Sequence, residues 1–192
     1  QWVRELCPEA ESYGDAYVRA GLFGDDCPAI MAHCIWGTEA EMEQMRKRGV
    51  YAAHCPQSNA NLSSGIAPVR RFLQKGIPTG LGSDIAAGSS VSVLRAMADA
   101  VQVSKLRWRL VDQREAPLTL EEAFYLGTLG GGTFFGKVGS FLDGYEFDAV
   151  VFDDGDLPHP QKLDVRSRLE RLISLADDRQ VVHKYVRGTE LF

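Results

Sequence analysis

The chain has 192 residues, of which 45% are apolar and 24% are charged, and its formal net charge is −5. These proportions are ordinary for a globular protein and supply enough apolar side chains for one substantial core. The net charge is negative, and the only basic cluster, Arg46-Lys47-Arg48, lies at the end of a predicted helix, where cations complement the helix dipole. These features argue against a nucleic-acid partner, since phosphate binding requires clustered Lys and Arg. No run of about 18 apolar residues occurs, so we also expect no membrane span.

The first residues, QWVRELCPEAE, are polar and acidic, and they do not begin with methionine. We therefore expect no signal peptide and a chain that is a fragment or a processed product. The cysteines (Cys7, Cys27, Cys34 and Cys55) lack the close spacing of a disulfide framework. This pattern predicts free thiols in a reducing compartment, and the cytoplasm is the expected location.

Three short apolar segments alternate with helical patterns in chain order. The predicted strands are AIMAHCI, VYAAHCP and PTGLGSD, at residues 29–35, 50–56 and 78–84. The helical segments between and after them are TEAEMEQMRKR, with a capping box at Thr38 and Glu41, then PVRRFLQK, and then VSVLRAMADAVQVSKLRWRL. Such alternation predicts βαβ units, a parallel sheet and an α/β fold.

The pattern changes after residue 117. Another capping box, Thr119 with Glu122, opens a helix that is expected to end in glycine-rich turns. The segments GSFLDGYEFDAVVFD and QVVHKYVRGTELF resemble strands exposed on one side, with the helix DVRSRLERLISL between them. We therefore predict two parts, an α/β part over residues 1–140 and a small β-rich part over residues 141–192.

A polar residue lies at the end of each predicted parallel strand. His33, His54 and Asp84 occupy equivalent places in successive units. Because the carboxyl ends of parallel strands meet at one edge of a sheet, this row predicts a functional site. Taken singly, each histidine could be a hydrogen-bonded core residue and Asp84 could cap the next helix.

The neighbouring pairs His33–Cys34 and His54–Cys55 do not predict a Cys2His2 zinc site. Adjacent residues on a strand point to opposite faces, so the two members of each pair diverge. Imidazole and carboxylate groups suit a divalent ion such as zinc or iron, which can activate water for hydrolysis. In that reading Asp84 binds the ion and accepts the proton of the water, and His33 holds the resulting hydroxide in place.

The segments around these residues resemble the amidohydrolase superfamily and, within it, the guanine deaminase family. The similar stretches are MAHCIWGTEAEMEQMRKRGVYAAHCPQSNANLSSGIAPV, GIPTGLGSDIAAGSSVSVLRAMADAVQVSK and LTLEEAFYLGTLGGG, and HCPQSNANLSSG is characteristic of the deaminase branch. The resemblance extends from about residue 28 to residue 192. It implies the C-terminal part of a (β/α)8 TIM barrel, strands six to eight, followed by a segment of a β-sandwich.

The resemblance also implies roles for individual residues. Asp84 corresponds to the metal ligand and proton acceptor, and His33 to the histidine that positions water or substrate. His54 and Asn59, in HCPQSN, correspond to a loop that shapes the substrate pocket. The implied reaction is the zinc-dependent, or less typically iron-dependent, hydrolysis of guanine, a small purine, to xanthine and ammonia. Most of the expected metal ligands, and the residues that grip the purine, lie outside this chain.

Two further interpretations stay open at this stage. The protein could be a related amidohydrolase that acts on another amino-heterocycle, such as a cytosine, adenosine-type or triazine substrate. It could also be a non-catalytic fragment whose order depends on a partner chain. A partial barrel has two unpaired edges, so we expect a homodimer or a complementing N-terminal half, and no catalysis by this chain alone.

Overall fold

The computed structural model describes residues 2–24 and 26–192, without the side chains of Trp2 and Val3. The helices are α1 (Trp2–Leu6), α2 (Tyr13–Arg19), α3 (Glu39–Arg48), α4 (Pro56–Asn61), α5 (Val69–Lys75), α6 (Val93–Leu110), α7 (Leu120–Tyr125) and α8 (Val165–Leu175). The strands are β1 (Ile30–Ala32), β2 (Tyr51–His54), β3 (Thr79–Leu81), β4 (Ala149–Phe152), β5 (Val181–Val186) and β6 (Thr189–Glu190).

The first three strands form a parallel sheet in the order β1-β2-β3. This arrangement confirms the predicted α/β class and the βαβ connectivity. Each strand is shorter than its apolar segment because the last residues of the segment turn away at the sheet edge. The helix starts also follow the sequence, since both predicted capping boxes form, at Thr38 with Glu41 and at Thr119 with Glu122.

The main core lies between this sheet and the surrounding helices. Its largest buried side chains include Met42 of α3, Phe72 of α5 and Ile77 before β3. Ala52 of β2 belongs to the same cluster, so this face of β2 is turned toward the helices. His54 lies two residues further on, and the alternation of a strand directs its side chain to the same side.

The glycine-rich segment after α7 differs from the prediction of turns. It continues as a π-helical turn over Leu126–Gly130 and a 3-10 turn over Thr133–Phe135. The glycines are needed for close packing, because a Cβ on Gly127 would lie 2.3 Å from Met97 Cε and one on Gly130 would lie 2.6 Å from the carbonyl oxygen of Thr79. The segment therefore packs directly on β3 and α6.

Gly80 of β3 gives a test of this packing. A Cβ at Gly80 would lie 2.8 Å from the Cα of Gly131, which is backbone and cannot rotate away. We expect Gly80→Ala to lower the free energy of unfolding by about 1–3 kcal/mol, the usual cost of overpacking. Gly37→Ala is the control, because its Cβ would meet nothing closer than 3.8 Å. Urea unfolding of both variants measures the difference, and equal stabilities would contradict the close approach of β3 and Gly131.

The second sheet is antiparallel, in the order β4-β5-β6. The predicted one-sided exposure is wrong for both β4 and β5. In β4 the consecutive residues Val150 and Val151 are 45% and 41% exposed, and in β5 three consecutive residues, 182–184, are exposed. Consecutive side chains point to opposite faces, so neither face of β4 is fully covered within the described residues. The register also shifts between Val151 and Phe152.

Helix α8 lies between β4 and β5 in the sequence and packs against helices of the α/β part. Its Ile173 is buried against Met97 of α6 and Ala123 of α7. Arg166 of α8 also donates to Glu121 of α7 at 2.7 Å. The division at residue 140 stays a prediction, and this helix packs against the α/β part although it belongs in sequence to the β-rich part.

Candidate active site

The polar residues of the strand ends lie along one edge of the parallel sheet. His33 follows the last residue of β1, His54 is the last residue of β2, and Asp84 lies three residues after the end of β3. The strands are adjacent and parallel, so all three residues are at the carboxyl-terminal edge. This placement is the one that the sequence predicts.

His33 and Asp84 face each other across this edge. The His33 Nε2 and Asp84 Oδ2 atoms are 3.7 Å apart, and the two side chains are 40% and 38% exposed. This distance exceeds that of a direct hydrogen bond, so a small group can lie beside both atoms. The arrangement leaves a carboxylate and an imidazole open to a ligand.

The backbone is strained at both residues. His33 has a φ of +67° and Asp84 has a φ of +47°, in the left-handed region that non-glycine residues rarely adopt. Such conformations persist where the surrounding structure imposes them, and they concentrate at functional sites. Both φ values lie outside the extended region, so neither residue continues the preceding strand.

Asn59 holds the ring of His33. The Asn59 Oδ1 atom lies 2.8 Å from His33 Nδ1, and Asn59 is only 2% exposed. A carbonyl oxygen only accepts, so the Nδ1–H of His33 donates this bond, and the Nε2 of a neutral ring is left as an acceptor toward Asp84. Asn59 therefore sets both the orientation and the tautomer of the His33 ring.

Unlike His33 and Asp84, His54 is buried. Its ring is 1% exposed, and neither ring nitrogen has a hydrogen-bond partner among the described residues. It lines a cavity of about 80 Å³ with Asn59, Ile66, Val103 and Leu106. Burial, and secondarily the proximity of His33, lowers the pKa of His54 to about 4, so the ring is neutral near pH 7. His54 is thus a neutral group beneath α6, whereas His33 is half-exposed.

Burial disfavours the nucleophilic, ionised form of the two thiols beside the histidines. Burial raises the pKa of Cys34 to about 11, and the carboxylate of Glu41 and the thiol of Cys55 add to the effect. Burial, with Asp84 nearby, also raises the pKa of Cys55. Because the thiolate is the nucleophilic form, these cysteines do not suggest covalent catalysis.

Comparison with known proteins identifies the family. The model described as the amidohydrolase family matches residues 6–191. The chain belongs to the amidohydrolase family.

Two guanine deaminases and an adenosine deaminase are similar to most or all of the chain. It is 33% identical over 100% of its length to the guanine deaminase of Dictyostelium discoideum. The solved guanine deaminase from C. acetobutylicum, with guanine bound in its active site, is 45% identical, with a TM-score of 0.94 over 100% of this chain. An adenosine deaminase from Xanthomonas campestris with bound zinc is 26% identical, with a TM-score of 0.75 over 90% of this chain.

These three deaminases are much longer than the chain described here. The chain spans 43% of the D. discoideum protein, 45% of the C. acetobutylicum structure and 38% of the X. campestris structure. More than half of each relative therefore has no counterpart in these residues.

The donor groups present fit part of a metal site. A carboxylate such as Asp84 is a suitable zinc ligand, and catalytic zinc typically has three protein ligands. Within residues 2–24 and 26–192, no group of three or more His, Cys, Asp or Glu side chains is placed to hold an ion. The described residues also contain no helix long and apolar enough to cross a membrane.

Two further residues lie next to the candidate site, and the sequence analysis did not single them out. Gln57 of α4 and Asp99 of α6 hydrogen-bond each other at 2.6 Å, and Gln57 also contacts the loop after Asp84. The sequence contains one indication that Asp99 has a specific partner, because Asp99 is an acid among the small apolar residues of AMADAV. A carboxylate in the apolar stripe of a helix is expected to have a polar partner.

Proposed function

We propose that the complete protein, meaning the whole polypeptide in which this sequence occurs, is a metal-dependent guanine deaminase. The reaction adds water at C2 of guanine, breaks the bond from C2 to the exocyclic nitrogen, and releases xanthine and ammonia. The observation that carries the proposal is the facing pair of His33 and Asp84, 3.7 Å apart at the carboxyl-terminal edge of the sheet. The similarity to a guanine deaminase with bound guanine supports this substrate.

Zinc is the proposed metal, with Asp84 as its ligand from this chain. The zinc-containing adenosine deaminase from X. campestris supports zinc over iron. When bound, the ion would lower the pKa of a water molecule toward neutrality. The remaining ligands and the residues that grip the purine are proposed to lie outside this chain, in line with the share of the relatives that it spans.

We propose that the residues of this chain accept the proton of the attacking water and orient its oxygen. Asp84 accepts the proton of the attacking water on its carboxylate. His33 accepts a hydrogen bond at Nε2 and so directs the oxygen, because Asn59 occupies its Nδ1–H. Asn59 and His54 shape the substrate pocket indirectly, Asn59 by fixing His33 and His54 by filling the space beneath α4 and α6.

The fold around the site is proposed to be completed by other segments. We assign β1, β2 and β3 to strands six to eight of a (β/α)8 barrel, within residues 1–140. The open faces of β4 support the assignment of residues 141–192 to a β-sandwich segment. An N-terminal half or a second copy would cover the outer edges of β1 and β3. The free thiols Cys7, Cys27, Cys34 and Cys55 favour a cytoplasmic location.

The test is metal content and deamination by the complete protein. We expect bound zinc close to one ion per protein, and conversion of guanine to xanthine with release of ammonia. Adenine, cytosine and a chlorotriazine are assayed in parallel, since turnover of one of these without guanine turnover would assign a different amidohydrolase activity. The 192-residue chain is assayed alone, and again after fusion to the preceding part of the C. acetobutylicum relative. Activity is expected only in the fusion, and full activity of the chain alone would contradict the proposed missing ligands.

A further inference from the structure

Helix α4 lies between the two loops that carry His33 and Asp84. Its side chains reach both loops, since Asn59 holds His33 and Asn61 Nδ2 donates to the carbonyl oxygen of Ala87 at 2.9 Å. Gln57, one turn earlier, reaches further along the second loop. The helix is thus placed to fix the separation of the two loops.

Gln57 contacts a buried carboxylate and the second loop at once. Its Nε2 donates to Asp99 Oδ2 at 2.6 Å, and Asp99 is 9% exposed. Its Oε1 accepts from the backbone N–H groups of Ser89 and Ser90, at 3.2 Å and 3.1 Å. One amide group therefore links α6, α4 and the loop after β3.

Residues 84–88 form a hydrogen-bonded turn between Asp84 and the serines that contact Gln57. The backbone N–H of Gly88 donates to the carbonyl oxygen of Asp84 at 2.6 Å. The neighbouring N–H groups of Ser89 and Ser90 are those that Gln57 binds. Only this one turn separates Asp84 from the residues that Gln57 binds, so a displacement of the Gln57 amide would also displace Asp84.

We propose that Gln57 and Asp99 act as a pair of positioning residues that hold Asp84 at its place opposite His33. The inference rests on the proposed deaminase function, and it assigns no contact with the substrate to either residue. Its physical basis is the orientation of one side-chain amide, set by the charge of Asp99.

The orientation follows from donor and acceptor chemistry. An ionised carboxylate only accepts hydrogen bonds, so the NH₂ group of Gln57 must face Asp99. The amide oxygen then faces the two loop N–H groups, which need an acceptor. Arg95 Nε donates to the same Asp99 oxygen at 3.3 Å, so this oxygen accepts from two side chains. Reversing the amide would place donor against donor and acceptor against acceptor, so both contacts would be lost.

An exchange of the two functional groups tests the proposal. Gln57→Glu places two carboxylates against each other, and Asp99→Asn removes the charge that selects the amide orientation. The double variant restores complementarity, because the carboxylate introduced at position 57 accepts from the amide introduced at position 99 and from both loop N–H groups. We expect each single variant to lower kcat about 10–100-fold with little change in KM, as for residues that support a metal ligand. The double variant should recover most of the loss.

Hydrogen exchange supplies a readout that does not depend on activity. In the complete, metal-free protein, the amides of Ser89 and Ser90 should exchange faster in both single variants and regain protection in the double variant. Gln102→Glu, an exposed change on α6, is the control and should alter neither exchange nor kcat.

Two results would contradict the proposal that Gln57 and Asp99 are positioning residues. One is unchanged exchange and unchanged kcat in both single variants, and the other is a double variant no better than the worse single. An inactive wild-type protein with the expected exchange pattern would instead refute the deaminase function and leave the structural role of Gln57 intact.

Discussion

Asp84→Asn in the complete protein should lower kcat for guanine by about 10²–10⁴-fold, the usual contribution of a positioned general base. Asparagine keeps the size of the side chain and removes its charge and basicity. It also tolerates the left-handed backbone that Asp84 adopts at φ +47°, so the loop should keep its shape. The loss is therefore expected in catalysis and in metal binding, with the fold retained.

His33→Asn is the comparison variant, because asparagine again suits the positive φ of +67°. We expect a severe loss of turnover here as well, but more bound zinc than in Asp84→Asn, since His33 is assigned to the water or substrate. Zinc content, guanine turnover and circular dichroism are measured side by side. Near-normal turnover of Asp84→Asn would remove Asp84 from the chemistry and leave it as a loop residue.

The position of the site could be predicted because it depends on strand periodicity. A polar residue at the end of each apolar segment defines an edge once the strands are parallel, and His33, His54 and Asp84 follow this rule. The helix starts were equally predictable, since a capping box is a contact between residues three apart in sequence. Local rules thus account for the α/β part and for the edge at which the candidate site lies.

The contacts that orient the site could not be predicted from local rules. The bond from Asn59 to His33 joins residues 26 apart, and that from Gln57 to Asp99 joins residues 42 apart. Both depend on how α4 packs beneath neighbouring loops. The glycines after α7 were also ambiguous, because glycine permits a turn and also permits close packing, and only the nearness of Thr79 and Met97 decides for packing.

Burial distinguishes the two histidines in a way that their similar sequence context does not. MAHC and AAHC place the two histidines at equivalent strand ends, yet His33 is half-exposed and His54 is 1% exposed. The difference arises because His33 leaves its strand with a positive φ, whereas His54 is still within β2 and keeps the alternation that points it toward the helices.

The largest expected change in stability concerns a buried ion pair behind the site. Arg107 of α6 donates to both oxygens of Glu115, with Nε–Oε2 at 2.5 Å and Nη2–Oε1 at 3.0 Å. Its Nη1 also donates to the carbonyl oxygen of Ile66 at 2.7 Å, in the loop that lines the cavity of His54. Glu115 is 5% exposed, so little water can replace it.

Glu115→Ala should therefore lower the free energy of unfolding by about 3–5 kcal/mol, because it leaves the guanidinium of Arg107 buried without its counter-charge. The neighbouring pair of Arg114 and Asp112 is the matched control. It has the same chemistry, but the Arg114 side chain is 90% exposed. Arg114→Ala should lower the free energy of unfolding far less, because an exposed ion pair gains little over the hydration of its two charges.

Urea unfolding of the two variants of the complete protein separates these expectations. The loss in Glu115→Ala should also be partly reversed by Arg107→Met in the same chain, since replacing a buried pair by apolar side chains removes the uncompensated charge. The reversal should be incomplete, because the carbonyl oxygen of Ile66 then loses its donor. Equal stabilities of Glu115→Ala and Arg114→Ala would show that Arg107 finds water or another acceptor, and would contradict the buried ion pair as the link between α6 and the loop at Ile66.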